Sequence, residues 1–314
     1  MIHIKTWRSG TGKCQNIANI VPGIKPFCSY LWAALALPTG EDKKLRRRRD
    51  WIKVKKAQHG IQWLIQYFSG KAGPIQRTFR LTIPESCWMV ISVDASPWGL
   101  GGILHHNGTI VKWFADIIQD NDLRILHAER ANPSFQTTWE ALAILVAVRL
   151  WLRENHDGIR IEIRSDSLSA LSAAGKASSG SKSVRTILCE LALDEADLVG
   201  GSCWLTHIPG KANKWPDALS RLHAPTKSSI PIELLTIERT PVVTRDQSFW
   251  RSIGKAYMCN HGWWGSRLPS TYVRSGCIAP AASSAPGPGP SPSKVGDVRR
   301  FHLQTKRARV FAFV

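Results

Sequence analysis

Four acidic residues in the middle of the chain lie where predicted strands end and predicted helices begin. Asp94 follows a β-branched, apolar run that predicts a buried strand, and Asp166 follows the alternating segment IRIEIR, a second predicted strand. Glu140 and Asp217 fall in the first turns of two predicted helices. If the two strands are neighbours, four negative charges converge in one cleft and repel each other unless cations are bound. Carboxylate oxygens suit hard ions, so the pattern favours Mg²⁺, and two ions could share the four acids.

Each of these acids also has an ordinary structural explanation. Asp94 could cap a strand in a plain hairpin, and Asp166 could be a helix N-cap. Glu140 ends the sequence TTWE, a capping box in which it would bond back to the amide of Thr137. Asp217, in the first turn of its helix, suits the positive end of the helix dipole. The metal interpretation therefore depends on all four acids meeting in the fold.

The elements that must position these acids alternate along residues 81–225. Their apolar pattern predicts the order βββαβα(α)βα, which implies one α/β domain with a mixed sheet and helices on both of its faces. A glycine cluster, Gly99, Gly101 and Gly102, is expected to fold the chain back sharply from the first strand into the second. The helix predicted over residues 137–153 is almost wholly apolar and should lie buried against the sheet.

Charge and composition divide the chain into three predicted segments. Residues 1–80 carry 16 Lys and Arg against 3 Asp and Glu and form a basic, mostly helical segment. Residues 81–225, the α/β domain, carry 13 against 16, and residues 226–314 carry 13 against 4. That last segment is basic, rich in Pro, Ser and Gly, and predicted to be mostly disordered. Basic flanks and a net charge of +19 favour a nucleic-acid partner, because Lys and Arg bind phosphates without sequence preference.

The cysteines and the apolar runs argue against other classes of protein. The seven cysteines are scattered without a C-x-x-C pair, which speaks against a zinc site or a disulfide framework. A reducing compartment, cytoplasm or nucleus, is therefore expected. The longest apolar runs are too short to span a bilayer, so no membrane association is expected.

Four stretches of the chain resemble the motifs of type 1 ribonuclease H domains, specifically those of retrotransposon polyproteins. In chain order they read VDASPWGLGGIL, TTWEALAIL, RSDSLSAL and THIPGKANKWPDALSRL. The resemblance spans roughly residues 88–222 and is most specific in the last stretch. It implies a ribonuclease H-like fold and an enzyme that hydrolyses the RNA strand of RNA–DNA hybrids.

The same resemblance implies a role for each acid. Asp94, Glu140, Asp166 and Asp217 match the catalytic, metal-binding positions of the family and would bind two Mg²⁺ ions, with Mn²⁺ as an alternative. Asp94 and Asp166 would anchor the ions most directly. Glu140 would hold the second ion or orient water, and Asp217 would complete the site.

Residues 16–80 resemble, more weakly, the segment that joins a retroelement reverse transcriptase to its ribonuclease H. The stretches that carry this resemblance are NIANIVPGIKPFCSYLWAAL, WLIQYF and GPIQR. The sequence contains no Tyr/Phe-x-Asp-Asp polymerase motif, so the chain is expected to be part of a larger polyprotein. The rest of that reverse transcriptase polyprotein is a candidate partner.

Further residues near the acids are candidate contacts to nucleic acid. Ser96 and Lys211 are predicted contacts to the backbone or phosphates, with local capping as an alternative for Ser96. Asn213 either shapes the loop before Asp217 or contacts a 2′-hydroxyl, which RNA alone carries. His207 precedes the loop in which many related enzymes place an assisting histidine. It is either an auxiliary catalyst or simply a strand residue.

Two alternatives to a hybrid-cutting enzyme are considered. The chain could be an inactive retroelement remnant that binds nucleic acid non-specifically through its basic flanks. It could also be a DNA-cutting integrase on a related fold. That chemistry uses three acids, and the sequence lacks the accompanying zinc-binding His/Cys domain.

Overall fold

The sequence folds into a central sheet flanked by helices, and three further helices precede that sheet in the described part of the chain. The computed structural model describes residues 1–35, 51–69, 88–152, 160–197, 203–226, 228–252 and 311–312. The strands are β1 (Ile2–His3), β2 (Trp51–Ile52), β3 (Trp88–Ala95), β4 (Gly99–His106), β5 (Thr109–Ile117), β6 (Arg160–Ser165), β7 (Cys203–His207), β8 (Glu238–Arg239) and β9 (Phe311–Ala312). The helices are α1 (Ile4–Ile20), α2 (Lys25–Leu35), α3 (Gln58–Phe68), α4 (Asp120–Leu126), α5 (Gln136–Trp151), α6 (Leu168–Lys176), α7 (Lys182–Asp197) and α8 (Lys214–Ser220).

Seven of the described strands form the central sheet, in the order β8-β5-β4-β3-β6-β7-β9. β4 is antiparallel to both β3 and β5, whereas β6 runs parallel to both β3 and β7. The chain turns from β4 into β5 at Asn107 and Gly108, whose φ angles of 50° and 83° are typical of a tight two-residue hairpin turn. The sheet is therefore mixed, as the sequence predicts.

Helices cover both faces of this sheet. α5 is buried along nearly its whole length and packs with Ile91 and Val93 of β3. On the opposite face, Leu219 of α8 packs with Ile103 and Trp113. The apolar sequence of α5 explains its position, because a helix without a polar face is stable only inside a core. The predicted fold class, α/β with a mixed sheet and helices on both faces, is confirmed.

The glycine cluster lies inside β4 and not in the turn before it. Gly99, Gly101 and Gly102 all avoid the left-handed region of φ. A Cβ on Gly101 would lie 2.5 Å from the carbonyl oxygen of Pro216 and 2.6 Å from the amide nitrogen of Ser220, both in α8. The expected role of the cluster in a sharp turn is thus corrected. Gly101 has no side chain because α8 lies directly on the β4 backbone.

The N-terminal helices form a second apolar cluster that includes part of the sheet's helical layer. Phe27 of α2 and Trp63 of α3 belong to this cluster together with Cys189 and Leu193 of α7. The guanidinium carbon of Arg185, also in α7, lies 5.1 Å from the centre of a tyrosine ring in α2. The segment before the sheet is therefore packed against the α/β domain.

The N-terminal segment, predicted to be mostly helical, also contains two short strands. Residues 51–52 form β2, which pairs with β1 so that Ile52 lies opposite Ile2. Residues 54–57 form a 3-10 helix, and α3 begins only at Gln58. The pairing partner of β2 is about fifty residues away, so a local pattern could not reveal it.

Residues 228–252, called here the C-terminal strap, pack onto the α/β domain. β8 pairs with β5 at the sheet edge, and the indole nitrogen of Trp113 donates to the carbonyl oxygen of Leu234 at 3.1 Å. Arg245 is fully buried and pairs with Asp122 at 2.8 Å and with Asp116. The prediction of a mostly disordered tail is wrong for this stretch. These acidic partners lie 123 and 129 residues before Arg245, so the composition of the tail could not reveal them.

The end of the strap meets a buried ionic network. Arg149 of α5 pairs with Glu190 at 2.7 Å and Asp194 at 2.6 Å, both in α7. Glu190 also accepts the amide hydrogen of Ser252 at 2.6 Å, and the Ser252 carbonyl oxygen accepts the indole N–H of Trp63 at 3.1 Å. The strap therefore links α5, α7 and α3 through polar groups removed from water.

Several predictions fall outside the described residues. These include residues 36–50 and 70–87, at or next to the predicted basic N-terminal segment, and residues 253–310 of the predicted tail. The described residues belong to one compact unit, and the three-segment division of the chain stays a prediction. In the described part of the chain, every helix is too short or too polar to cross a membrane.

Replacing Gly101 with Ala should destabilise the protein by roughly 1–3 kcal/mol, because an added methyl group must displace the backbone of α8. Gly12→Ala is the matched control. Gly12 lies in α1 with open space around its Cβ position, so this change should be neutral or stabilise by up to about 1 kcal/mol. Urea unfolding of both variants measures the difference. Equal stability of the two variants would contradict the close packing of α8.

Replacing Arg245 with Met should lower the free energy of unfolding by about 3–5 kcal/mol, because Asp122 would be left buried without its cation. The double variant Asp122→Asn/Arg245→Met removes both charges, so its free energy of unfolding should fall clearly less than that of Arg245→Met. Urea unfolding of the two variants gives the comparison. If the double variant were the less stable one, the strap would not depend on this ion pair.

Candidate metal centre

Asp94 and Asp166 lie at the same edge of the sheet. β3 and β6 are parallel neighbours in which Ser92 lies opposite Arg164. Asp94 and Asp166 each come two residues later, at the carboxyl ends of these strands. Two carboxylates from separate parts of the sequence are therefore brought together by the strand register alone.

Glu140 joins these two carboxylates from α5. One oxygen from each of Asp94, Glu140 and Asp166 lies within 4.8 Å of the others. Asp94 and Glu140 are buried, with 4% and 5% of their surface exposed, whereas Asp166 is half-buried. The cluster therefore has a closed inner side and one carboxylate toward solvent.

The two capping roles considered for Glu140 and Asp166 are not observed in the structure. α5 begins at Gln136, so the expected capping box of Glu140 with Thr137 is absent at this helix start. The N-cap of α6 is Ser167, whose side chain accepts the amide hydrogen of Ala170, and not Asp166. Neither acid is needed to cap its helix, and both carboxylates face the cluster instead.

Hydrogen bonds hold the two buried acids in position. The Ser220 hydroxyl donates to Oδ2 of Asp94 at 2.8 Å. The Gln136 side-chain amide donates to Oε1 of Glu140 at 2.8 Å and to the carbonyl oxygen of Ala95 at 2.6 Å. Among the described residues, the buried Oε2 of Glu140 has no hydrogen-bond partner. One buried carboxylate oxygen of the cluster thus lacks a donor within the described residues.

The electrostatics of the cluster favour a cation. Burial raises the pKa of Glu140, and the charges of Asp94 and Asp166 raise it further. Burial also raises the pKa of Asp94, where the hydrogen bond from Ser220 acts in the opposite direction. An all-oxygen donor set, mutual repulsion and an orphaned buried oxygen together fit a hard divalent ion such as Mg²⁺.

Asp217 is near the cluster but does not belong to the group of three. Its Oδ1 accepts from the guanidinium of Arg221, at 2.8 Å from Nε and 2.7 Å from Nη2. Its charge nevertheless helps to raise the pKa of Asp94, which places the two carboxylates within electrostatic reach. The structure therefore brings three of the four predicted acids together and pairs the fourth with an arginine.

Ser96 and Asn213 hold the backbone around the site. The buried Ser96 hydroxyl donates to the carbonyl oxygen of Ser220 at 2.7 Å and accepts the amide hydrogen of Gly99 at 3.1 Å. The amide of Asn213, also fully buried, donates to the carbonyl oxygen of Val93 at 2.9 Å. These side chains tie the start and end of α8 to β3 and the turn, and their contact with nucleic acid stays a prediction.

Lys211 and His207 are exposed beside the cluster. Lys211 lies in the 3-10 helix 210–212, and His207 is the last residue of β7. A ring nitrogen of His207 lies 3.1 Å from the carbonyl oxygen of Asp166. A Cβ on Gly210 would lie 3.1 Å from Oδ2 of Asp166, so the loop after β7 approaches that carboxylate closely.

Two residues that contact the acids, Gln136 and Arg221, were not predicted from the sequence. Each carries a signal in its spacing. Gln136 precedes Glu140 by four residues and Arg221 follows Asp217 by four, the distance at which helical side chains meet.

Comparisons with known proteins give only weak similarities. No protein-family model matches the chain, and no curated protein does either. RNase H1 from the halophilic archaeon Halobacterium salinarum NRC-1 aligns with 44% of this chain and 96% of its own, at 20% identity and a TM-score of 0.32. TM-scores in this range carry no inference about what the chain does.

Two structures of a foamy viral protease-reverse transcriptase in complex with double-stranded DNA also align. One covers 72% of this chain and 33% of its own, at 14% identity and a TM-score of 0.21. The other covers 74% and 41%, at 10% identity and a TM-score of 0.24. This chain therefore spans less than half of those proteins, and its function is inferred from its own residues.

The stabilising effect of Mg²⁺ should grow with pH. Because burial raises the pKa of Asp94 and Glu140 in the folded protein, the metal-free fold binds protons there and loses stability as pH rises past the ordinary carboxyl range. Mg²⁺ needs the deprotonated carboxylates, so its shift of the unfolding temperature should be larger at about pH 8 than at about pH 5. Thermal unfolding with Mg²⁺ and with chelator measures this shift.

The control for this prediction is Asp94→Asn/Glu140→Gln, which keeps the shape of both side chains and removes both charges. Its unfolding temperature should respond little to Mg²⁺ at either pH. A shift of equal size in this variant and in the unchanged protein would mean that the ion binds elsewhere.

Proposed function

We propose that the chain is a metal-dependent endonuclease that hydrolyses the RNA strand of RNA–DNA hybrids, as a type 1 ribonuclease H derived from a retrotransposon polyprotein. The observation that carries the proposal is the meeting of Asp94, Glu140 and Asp166 within 4.8 Å at the ends of two parallel strands. The four sequence motifs that resemble retrotransposon ribonuclease H each contribute one acid to this region.

The residues of the cluster have separate proposed roles, as metal ligands and as groups that position those ligands. Asp94 and Asp166 would be the primary ligands, and Glu140 would supply a third oxygen from the buried side. Divalent ions such as Mg²⁺ or Mn²⁺, when bound to shared carboxylates, activate a water and stabilise the leaving oxygen of a phosphodiester. Gln136 and Ser220 fix the two buried carboxylates, so that their free oxygens face the ion site.

The substrate class follows from charge and from the motif resemblance together. The exposed Lys211 lies in the 3-10 helix 210–212, and the exposed Lys214 begins α8, the helix that carries Asp217. Cations in this position suit phosphates of a nucleic-acid backbone. The choice of RNA paired with DNA rests on the motif resemblance, and the rest of a reverse transcriptase polyprotein is the proposed partner.

A second candidate function is nucleic-acid binding without cleavage. The pairing of Asp217 with Arg221 favours it, since the fourth acid is engaged by an arginine. The strongly basic composition would support such binding on its own, with a steep dependence on salt. A hybrid that shifts on a gel but stays intact with Mg²⁺ would decide for this candidate.

Asp94→Asn should reduce cleavage of a labelled RNA–DNA hybrid by more than about a hundredfold, because loss of a metal ligand costs at least as much as loss of a residue supporting one. The unchanged protein should cut only the RNA strand, and chelator should stop it. The variant should stay folded in a thermal unfolding experiment, because the change removes a buried charge without changing volume.

Asp120→Asn is the matched control for this experiment. Asp120 lies on α4 with a side chain that is 92% exposed, so the change should leave cleavage unaltered. Full activity in Asp94→Asn, or loss of folding in that variant, would refute the assignment of Asp94 as a metal ligand.

A further inference from the structure

Arg221 makes a two-pronged contact with the one predicted acid that lies outside the carboxylate cluster. Both Nε and Nη2 of its guanidinium lie within 2.8 Å of Oδ1 of Asp217. The two residues are one turn apart at the end of α8 and are about half exposed, at 55% for the arginine side chain and 42% for the aspartate. The sequence motifs assigned a role to Asp217 and none to Arg221.

The Asp217–Arg221 ion pair lies next to a residue that contacts the carboxylate cluster. Ser220, between the two residues in sequence, donates to Asp94. The end of α8 therefore presents a carboxylate, a hydroxyl and a guanidinium to the same group of acids.

We propose that Arg221 is a positioning residue that serves as an internal counter-cation for Asp217 and must leave that carboxylate before Asp217 can bind a divalent ion. The inference rests on the proposed metal site and adds a competitor to it. In the metal-free protein, Arg221 neutralises the fourth acid and limits the negative charge at the cluster. When ions bind, the guanidinium and the cation compete for Asp217.

The competition has a bounded size. An exposed ion pair one helical turn apart contributes up to about 1 kcal/mol, since solvent screens the charges. The free energy needed to break this ion pair should therefore make divalent-ion binding on the order of two- to fivefold weaker than in a protein without the arginine. Such a factor is small enough for ions to bind and large enough to be measured.

The test is a Mn²⁺ titration of the full chain without nucleic acid, in which the EPR signal of free Mn²⁺ gives the bound fraction. Arg221→Gln should bind Mn²⁺ on the order of two- to fivefold more tightly than the unchanged protein. Arg221→Lys keeps the charge but loses the planar fork and should give an intermediate affinity.

A double-mutant cycle separates direct pairing from a general charge effect. In the Asp217→Asn background, Arg221→Gln should no longer change the Mn²⁺ affinity, because the competed carboxylate is gone. A gain that persists in this background would mean that Arg221 acts only through its field, which would overturn the proposal. Arg124→Gln is the control for net charge, since Arg124 lies on α4 and its guanidinium donates to Asn121. It should leave Mn²⁺ affinity unaltered.

The outcomes distinguish this proposal from the proposed function. If the unchanged protein cuts hybrid and binds Mn²⁺, but Arg221→Gln binds no tighter, Arg221 is no competitor and only the inference fails. If no variant binds Mn²⁺ and hybrid is not cut, both fail. Tighter binding in Arg221→Gln with an intact hybrid would uphold the inference and overturn the nuclease.

Discussion

Like charges repel strongly when they approach each other away from water, and the region around β3 and α5 imposes this contact on Asp94 and Glu140. The two carboxylates cannot move apart without disturbing a strand in the middle of the sheet and a helix buried along its length. A proton or a cation is then the available means of relieving the repulsion. The metal chemistry proposed for the site is one consequence of this constraint, and the burial that enforces it also raises the pKa of both acids.

Holding such a pair requires rigid surroundings, and the most distant parts of the chain supply them. α8 lies so close to β4 that Gly101 has no room for a side chain, and this contact brings Ser220 to Asp94. The strap holds α5 and α7, because its last residues join the network of Arg149 and Glu190 that links these two helices. Buried ionic groups of this kind are costly unless fully paired, so they fix the helices in one arrangement.

The sequence predicted what local periodicity and chain order determine. Strand and helix alternation gave the mixed sheet, and the ends of those elements gave Asp94, Glu140 and Asp166, which the structure brings together. What escaped prediction depends on partners far apart in sequence. Nothing local marks the tail around Arg245 as ordered, because its counter-charges lie in β5 and α4. The role of Gly101 is equally invisible, since it depends on a helix more than a hundred residues later.

The pairing of Asp217 with Arg221 reconciles two demands on the same site. Four unpaired carboxylates would bind cations most strongly but would also strain the metal-free fold most, because each added charge raises the cost of the others. An arginine on the half-exposed Asp217 neutralises one charge while leaving the three acids that meet in the cluster unpaired with it. Because that pair is half exposed, its strength is small and a cation can displace it. The fold can therefore form before an ion arrives, and the fourth acid is still available once one does.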